Sequence, residues 1–391
     1  MNAECDVPRA RRILILGHTG ISKSHAINNL ANYFLSSTHG LDTGLQHIDH
    51  VRFLRVACLE DHLPDIHAFL DLTNEQDARL RWGNALSAAL EALNQGPADA
   101  HKVLSMHGSY YRRARAFSRA DLEEIRQKFD PTAVVVLIDD VYDAAGSIRS
   151  RDIQDTLRLR EIATWRSIEG MIADFIAIPH GVPSYVLAVK HPVSMACKLL
   201  FEDSLKVYSA FPISRTRGDA ASRQEIEDFK SYLRSAGIVV FDPSTIDELL
   251  LRHQLQGSES NPVSVDLGQR WPTAPERLLC DGRPDPWAGR VCEFSKAEIE
   301  EATEDIETQV ESRDFRLIHD AKAIVAYRPN WGGTESRGVT SELHLARNIG
   351  RRVFVLSPPE DEGGATSPFR ESGNVYGNKE ELVEALKRLD A

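Results

Sequence analysis

The chain has 391 residues, of which 42% are hydrophobic and 27% are charged, and its formal net charge is −12. This length predicts two or three domains, because single hydrophobic cores stop growing below this size, and we take two as the working count. The composition excludes global disorder. The negative charge disfavours polymeric nucleic acid as a partner, whereas a small anionic ligand needs only a few local cations.

Cysteine usage and hydropathy indicate the compartment. The five cysteines are odd in number and include no C-x-x-C pair, which argues against a disulfide framework and against a zinc site. The start MNAECDVPRARR lacks an apolar signal core, and no run approaches the roughly 18 apolar residues of a membrane span. We therefore predict a cytoplasmic protein with no membrane partner.

Apolar runs alternate with helical patterns through the first half of the chain. Residues 12–16 predict a strand that ends at Gly17, and a helix is predicted from Ser24 onward. Further strands are predicted at 51–59, 102–108, 133–140 and 184–190, and further helices at 75–93, 118–129 and 152–176. This alternation predicts an α/β domain at 1–203 with a mainly parallel sheet.

The second half repeats this order and predicts a second α/β domain at 204–391. We expect two Rossmann-like three-layer domains. Residues 248–294 are rich in Gly, Pro, Ser and Trp with weak periodicity, so they are interpreted either as an insertion that covers a site or as a mobile linker. Strands are predicted at 205–211, 238–243, 322–329 and 352–358, and helices at 222–237, 295–321, 341–350 and 379–391.

The sequence GHTGISKS lies between the first strand and the first helix. Backbone N–H groups of such a glycine turn, at Gly17 and Gly20, can surround phosphate oxygens, while Lys23 bridges phosphates and the Ser24 hydroxyl binds Mg²⁺. The usual pattern is G-x-x-x-x-G-K-[ST], and Ser22 stands where its last glycine belongs. We therefore expect crowding or an unfavourable φ at Ser22.

Charged residues lie at the end of a later strand of the same domain. Asp139 and Asp140 end the run VVVLIDD, where a carboxylate could hold a magnesium-bound water. Arg151 and Arg158 lie seven residues apart and would share a helix face. The alternative is a solvated face on which the arginines pair with acidic neighbours. The arginines of this segment are Arg149, Arg151, Arg158, Arg160 and Arg166, and the acidic neighbours are Asp152, Asp155, Glu161 and Glu169.

Over about residues 1–200 this arrangement resembles the adenylate-kinase-like branch of the P-loop kinases. The resemblance implies a P-loop NTPase-type fold with ATP and Mg²⁺ as cofactors. Lys23 and Ser24 would contact ATP phosphate and Mg²⁺, and arginines such as Arg151 and Arg158 would stabilise the transferring phosphoryl group. A degenerate kinase that senses nucleotide is the alternative. His18 and His25, beside the loop, would either touch the ligand or simply cap and pack.

A second motif lies near residues 338–353. It has the form G-x-x-x-E-hydrophobic-x-x-A followed by G-[KR]-x-V, and its positions are Gly338, Glu342, Leu343, Ala346, Gly350, Arg351 and Val353. Together with the strand LKVYSAFPIS and the segment EIEDFKSYLRSAGIVVFDP, it resembles the nucleoside 2-deoxyribosyltransferases and their nucleotide N-glycohydrolase relatives. The resemblance covers about 205–360 without the insertion.

The resemblance implies a role for each matching residue. Glu342 would be the nucleophile at the anomeric carbon, and Asp314 would protonate or orient the departing base. Tyr208, Ser209 and Pro212 would line the sugar pocket. Alternatively, Glu342 is an acid in a first helical turn, favoured by the macrodipole, and Asp314 is a solvated helix-end charge.

Two other carboxylates, Asp320 and Glu335, compete with this assignment. The loop WGGTESRG, which carries Glu335, also loosely resembles the glycine-threonine loop of phosphoribohydrolases that release cytokinin bases. In that interpretation either Glu335 or Glu342 would serve as the catalytic carboxylate.

Arginines beside the motif favour a phosphorylated substrate, because the guanidinium fork matches phosphate oxygens. These are Arg337, next to Gly338, and Arg215 and Arg217, which lie just after the strand together with Ser214. We therefore predict a small-molecule partner, a nucleotide rather than a free nucleoside. The relatives commonly complete their sites across subunits, which implies a homo-oligomer.

The sequence thus predicts an enzyme that cleaves or exchanges the N-glycosidic bond of a (deoxy)nucleoside phosphate, joined to an ATP-binding kinase-like domain. Hydrolysis and transfer both remain open. One alternative is a nucleoside monophosphate kinase with a non-catalytic, ligand-sensing second domain. Another is a nucleotide-dependent regulatory or assembly protein.

Overall fold

The computed structural model divides the chain into two compact units. Unit 1 holds the described residues of Met1–Val189, Leu278–Arg283 and Ala297–Asp305, and unit 2 holds those of Lys190–Arg277, Pro284–Lys296 and Ile306–Ala391. The structure describes residues 10–37, 44–60, 62–63, 66–72, 74–112, 114–118, 120–150, 157–271, 277–278, 291–331, 335–357 and 374–389.

Unit 1 alternates strands and helices. In chain order its elements are β1 (Arg12–Leu16), α1 (Lys23–Ser37), β2 (Leu45–Asp49), α2 (His50–Glu60), α3 (Ile66–Leu70), α4 (Glu75–Asn94), β3 (His101–Ser105), β4 (Tyr110–Arg112), β5 (Arg115–Phe117), α5 (Leu122–Phe129), β6 (Ala133–Ile138), α6 (Val141–Arg149), α7 (Leu159–Ala177) and β7 (Ser184–Ala188). Five of the described strands form a parallel sheet in the order β2-β3-β1-β6-β7.

The loop after β1 lies at the place in the sheet where the connections begin to lead to opposite sides. From β1 the chain continues to β2 on one side of the sheet, whereas from β6 it continues to β7 on the other side. Since β1 and β6 are neighbours, their carboxyl ends border a crevice where ligands bind in open α/β sheets.

One predicted strand of unit 1 is wrong. Residues 51–59 belong to helix α2, whose buried residues His50, Leu54 and Cys58 recur every four positions. This spacing is that of a helix face, which the dense apolar composition of the segment conceals. Strand β2 and the antiparallel β4–β5 hairpin were not predicted.

Unit 2 repeats the alternation with different topology. Its elements continue with α8 (Val193–Phe201), β8 (Lys206–Ala210), α9 (Ile213–Thr216), α10 (Ala220–Ser235), β9 (Val239–Phe241), α11 (Leu249–Gln256), β10 (Val263–Asp266), β11 (Val291–Phe294), α12 (Lys296–Asp320), β12 (Ala323–Tyr327), α13 (Arg337–Asn348), β13 (Arg352–Leu356), β14 (Val375–Tyr376) and α14 (Lys379–Lys387). Its described strands include a five-stranded parallel sheet in the order β14-β13-β12-β8-β9.

Helices cover both faces of the unit 2 sheet. Val207, Phe211, Val240, Val325 and Phe354 pack on one face against apolar residues of α10 and α14. Because side chains alternate along a strand, Tyr208 points to the opposite face, where α13 lies. The neighbours β8 and β12 lead to strands on opposite sides, so their carboxyl ends border a second crevice. Both units are therefore α/β with parallel main sheets, as predicted.

Two predicted boundaries differ from the structure. The units divide between Val189 and Lys190, whereas the sequence placed the boundary after residue 203, and α8 packs against β9 of unit 2. The described part of the predicted insertion contains α11 and an antiparallel pair, β10 with β11. Among the described residues, no helix is both long and apolar enough to span a membrane.

Candidate functional site

The loop after β1 requires its two glycines. Gly17 has φ +154° and Gly20 has φ +99°, and a Cβ atom would lie 2.9 Å from the Leu137 carbonyl oxygen at Gly17 and 3.0 Å from that of Ala144 at Gly20. Ser22 does not have a positive φ. The expectation of an unfavourable φ at Ser22 was therefore wrong, since the turn takes its positive φ values at the glycines.

Lys23 is held inside this loop. Its side chain is 6% exposed, and its Nζ donates to the Gly17 carbonyl oxygen at 2.5 Å and to His107 Nδ1 at 3.1 Å. Burial and the adjacent ammonium group lower the pKa of His107 well below its ordinary value. His107 is therefore a neutral acceptor, and Lys23 also lines the cavity beside the loop.

Glu169, on α7, holds the start of this loop at Gly17. Its buried carboxylate accepts hydrogen bonds from Gly17 N at 3.0 Å, Gly108 N at 3.0 Å, Ser109 N at 2.7 Å and Ser109 Oγ at 2.8 Å. Burial raises the pKa of Glu169, and Lys23 and these hydrogen bonds oppose the rise. The sequence suggested Glu169 only as a partner of arginines, because no local motif marks a contact across 152 residues.

A cavity of about 590 Å³ opens beside the loop that joins β1 to α1. Its cationic side chains are Lys23, Arg52, Arg55 and Arg112, and the only carboxylate among the described residues that line it is Asp49. Its aromatic side chains are Tyr110, Tyr111 and Trp165. The volume is in the range of small-ligand sites, and the excess of cations favours an anion.

Two groups of oxygen ligands in unit 1 fit a hard divalent cation. Ser24 Oγ donates to Asp49 Oδ2 at 2.8 Å, and both residues line the cavity. Asp139, Asp140 and Asp143 are buried, and their possible ligand atoms lie within 4.8 Å of one another. The cavity lining includes Ser24 but not Asp139, which belongs to the buried acidic group.

The arginines after β6 form ion pairs with the start of α12. Arg158 Nη1 lies 3.0 Å from Glu301, and this exposed pair is not part of the cavity lining. The alternative of a paired arginine face therefore describes these residues, although their partners differ from the predicted ones. Arg151 is outside the described residues. The other two pairs are Arg149 with Glu298 at 2.6 Å and Arg160 with Asp305 at 2.7 Å.

The two histidines beside the loop differ. His18 is buried, its Nδ1 donates to the Thr19 carbonyl oxygen at 2.5 Å, and burial lowers its pKa to about 3. It is therefore a neutral packing residue. His25 is exposed and lines the cavity.

In unit 2 the predicted nucleophile meets the predicted sugar-pocket tyrosine. Tyr208 Oη donates to Glu342 Oε1 at 2.8 Å. Helix α13 begins at Arg337 after the N-cap Ser336, so Glu342 lies in its second turn. The alternative drawn from the sequence had placed Glu342 in the first turn. The macrodipole acts mainly within the first turn and does not by itself explain a carboxylate at this position.

Asp314 lies on α12 and is paired with its neighbour. Arg313 donates to Asp314 Oδ1 from Nε at 3.0 Å and from Nη2 at 2.8 Å, and the Asp314 side chain is 14% exposed. It lines the same cavity as Glu342. The alternative of a solvated helix-end charge was therefore wrong.

The two carboxylates influence each other. Burial and the charge of Asp314 raise the pKa of Glu342 to about 8, against the hydrogen bond from Tyr208 and the charge of Arg313. Burial raises the pKa of Asp314, and Arg313 opposes the rise. The two titrations are therefore coupled, and the raised pKa values are a property of the pair rather than of either residue.

This cavity has a volume of about 400 Å³ and lies at the carboxyl ends of β8, β9 and β12. Pro212, Arg215, Arg337 and Gly338 line it, as the sequence predicted. Contrary to the prediction, Ser209 and Tyr208 are not among the residues that line it, because both are fully buried in β8. Tyr208 reaches the cavity only through its hydrogen bond to Glu342. Of the competing carboxylates, Glu335 lines the cavity and is exposed, whereas Asp320 ends α12 and is not part of the lining.

The arginines of this cavity differ in their partners. Arg217 Nη1 donates to Asp247 Oδ2 at 2.8 Å, and Arg215 Nη2 donates to the Glu335 carbonyl oxygen at 2.6 Å. Within the described part of the chain, Arg337 makes no hydrogen bond or ion pair. Arg337 and Gly338 form the first turn of α13, whose backbone N–H groups also favour anions.

The chain turns sharply where β12 ends. Arg328 has φ +43°, in the left-handed region, and its Nη1 donates to Glu225 Oε1 on α10 at 2.6 Å. Its guanidinium lies 4.2 Å from the centre of the Trp331 ring. These contacts hold the turn that leads toward Glu335 and α13.

No model of a known protein family matches this chain, and no curated protein sequence matches it. The function is therefore inferred from the geometry of the two cavities.

Proposed function

We propose that unit 2 cleaves or exchanges the N-glycosidic bond of a (deoxy)nucleoside phosphate, with Glu342 as the nucleophile. The observation that carries this proposal is that Glu342 and Asp314 line one cavity while Tyr208 donates to Glu342 Oε1 at 2.8 Å. A carboxylate at C1′ stabilises the positive charge that develops as the bond breaks, and a second carboxyl group nearby can orient the departing base.

The reaction takes place in two steps. A Glu342 carboxylate oxygen forms a bond to C1′ while the bond from C1′ to the base nitrogen breaks. The bonding electron pair leaves with the base, which Asp314 orients and which takes its proton from solvent water. In the second step the oxygen of water, or the nitrogen of another base, attacks C1′, loses its proton to solvent and releases Glu342 as a carboxylate.

The phosphate of the substrate binds at the start of α13. Arg337 is available there, Arg215 lies beside it on the same cavity, and the helix begins without an acidic residue in its first turn. Arginine matches phosphate oxygens in geometry and charge, so these residues favour a nucleotide over a free nucleoside.

Unit 1 binds ATP at the loop after β1. Lys23 and the first N–H groups of α1 face the cationic cavity, which favours a polyphosphate. Mg²⁺, when bound, neutralises phosphate charge and orients the phosphates. Ser24 and Asp49 offer it oxygen ligands at the cavity, and Asp139 belongs to the separate acidic group.

Base release tests the proposal for unit 2. The full chain is incubated with a panel of ribo- and deoxyribonucleoside phosphates, and free base is measured by chromatography. We expect Glu342→Gln to lower base release by about 1,000-fold or more, because the amide cannot serve as the nucleophile. Glu335→Gln is the matched control, since Glu335 lines the same cavity but is exposed. Equal loss in both variants, or full activity of Glu342→Gln, would contradict the proposal.

The cavity of unit 1 also supports a second candidate, a nucleoside monophosphate kinase in which unit 2 only senses ligand. The same panel, with ATP added, distinguishes it. ADP production that is lost in Lys23→Ala, with no base release from the unmodified protein, favours the kinase. Retained ATP binding with neither activity favours a nucleotide-dependent regulatory or assembly role.

A further inference from the structure

Arg313 is a cation of the unit 2 cavity whose guanidinium makes several hydrogen bonds. Its Nη2 donates both to Asp314 Oδ1 at 2.8 Å and to the Pro243 carbonyl oxygen at 2.9 Å, while its Nη1 donates to the Ile246 carbonyl oxygen at 3.4 Å. Its Nε donates to Asp314 at 3.0 Å. The guanidinium thus joins α12 to the turn after β9, with its charge fixed in position.

The bonds of Arg313 leave one side of Asp314 available. Both bonds to the carboxylate go to Oδ1, and Oδ2 has no hydrogen-bond partner in the described part of the chain. Both side chains line the cavity together with Glu342. A rotation of Asp314 would break two charged hydrogen bonds, so Oδ2 is presented to the cavity in one orientation.

We propose that Arg313 is a positioning residue for the carboxylate pair: it fixes Asp314 toward the substrate, and its positive charge helps Glu342 to become the anion that attacks. Sequence reasoning did not single out Arg313, although it is the immediate neighbour of Asp314. The inference depends on the proposed function for its catalytic meaning, whereas the electrostatic effect on Glu342 can be measured without any reaction.

Charged and titratable groups from several elements act on this pair. Tyr208 on β8 donates to Glu342, and Asp242, after β9, acts on Asp314. Glu248 and Asp314 act on Arg313 itself. Arg313 is the only cation whose charge lowers the pKa of both carboxyl groups in the described site. Loss of the Arg313 charge should therefore raise the pKa of Glu342 and the pKa of Asp314, while the effects of the other groups stay the same.

The titration of Glu342 tests the electrostatic part directly. Protein labelled with ¹³C at glutamate side-chain carboxyl groups is titrated by NMR, and the Glu342 signal is assigned by its absence in Glu342→Gln. We expect the midpoint to move upward by about one pH unit or more in Arg313→Gln, because the opposing cation is lost. Arg313→Lys keeps the charge and should recover most of this shift.

Base release provides the second measurement. We expect the rising limb of the kcat/KM profile in Arg313→Gln to move upward with the NMR midpoint and kcat to fall by about 10-fold to 100-fold, with partial recovery in Arg313→Lys. Arg252→Gln is the matched control, because Arg252 pairs with Glu307 of the same helix on the exposed surface. Its NMR midpoint and activity should equal those of the unmodified protein.

An unchanged Glu342 midpoint in folded Arg313→Gln would overturn the inference, whatever the activity. A shifted midpoint with an unmoved kcat/KM profile would overturn its catalytic part. Absence of base release from the unmodified protein would instead overturn the proposed function, while the NMR titration would still decide the effect of Arg313.

Discussion

The two units use the same kind of sheet to build opposite electrostatic sites. In unit 1, Lys23, Arg52, Arg55 and Arg112 line the cavity with a single described carboxylate, Asp49. In unit 2, the arginines of the cavity accompany a coupled carboxyl pair, Glu342 and Asp314. The first cavity suits a bound anion, and the second adds the carboxylate that we propose as a nucleophile.

The difference arises from the side chains that the chain places at each crevice. In each unit, two neighbouring strands connect to strands on opposite sides of the sheet, which opens a crevice at their carboxyl ends. The sheet itself supplies only this crevice. After β1 the chain supplies glycines and a lysine, whereas the unit 2 crevice receives side chains from α12 and α13. Function therefore has to be argued from these side chains and not from the α/β fold.

The largest expected effect separates the two cavities. Lys23→Ala should weaken ATP binding by about 100-fold, close to 3 kcal/mol, because a buried cation leaves the phosphate site. Base release should be unchanged. Isothermal titration calorimetry and chromatography measure the two effects. Lys128→Ala, which removes an exposed lysine of unit 1, should change neither, and equal ATP affinity in both variants would contradict the proposed phosphate site.

A pair of glycine substitutions tests the loop geometry. Gly20→Ala should lower the free energy of unfolding by about 2 kcal/mol, since φ is +99° and the new Cβ would lie 3.0 Å from the Ala144 carbonyl oxygen. Gly338→Ala, in the first turn of α13 with open space around it, should leave stability unchanged or raise it by up to about 1 kcal/mol. Denaturant unfolding measures both, and equal destabilisation would contradict the described loop conformation.

Removal of the Tyr208 hydroxyl should disturb only the unit 2 reaction. The hydrogen bond favours the Glu342 anion, so Tyr208→Phe should raise the Glu342 pKa further above about 8 and move the rising limb of kcat/KM to higher pH. At a pH of about 7.5 we expect a loss of about tenfold, close to 1.4 kcal/mol, that shrinks at higher pH. Tyr327→Phe is the control, because its hydroxyl donates to Glu225 instead. A loss that is independent of pH would contradict this role.

The smallest expected effect concerns the arginines predicted to bind ATP. Arg158→Ala should change the free energy of unfolding by no more than about 0.5 kcal/mol, because its pair with Glu301 is exposed. ATP affinity should be unchanged. A tenfold weaker affinity would instead show that Arg158 leaves Glu301 for the nucleotide, as the resemblance to kinases implied.

Local patterns in the sequence predicted the elements that carry the sites. The run RILIL before Gly17 and the run KVYSA before Phe211 are strands, as expected from short apolar segments that end at turn residues. The glycine turn between Gly17 and Lys23 was also anticipated, and in these cases neighbouring residues in the chain contain the signal. That Asp314 and Glu342 would belong to one site was implied only by the resemblance to the deoxyribosyltransferases.

Contacts between distant residues could not be predicted. Glu169 accepts a hydrogen bond from Gly17 N, which lies 152 residues away in the sequence. Arg313 donates one to the carbonyl oxygen of Pro243, which lies 70 residues away. No local period or motif encodes such a partner. Arg313 is the one case with a usable signal, since a cation directly beside a candidate catalytic acid is a reason to examine both.

The turn at Arg328 and the helix that carries Glu342 are anchored independently. The turn is secured by Glu225 on α10 and by the Trp331 ring, while Leu343 and Ala346 anchor α13 to the sheet. A substitution that loosens the turn therefore leaves the supports of α13 intact, so Glu342 should keep its place when the end of β12 is altered.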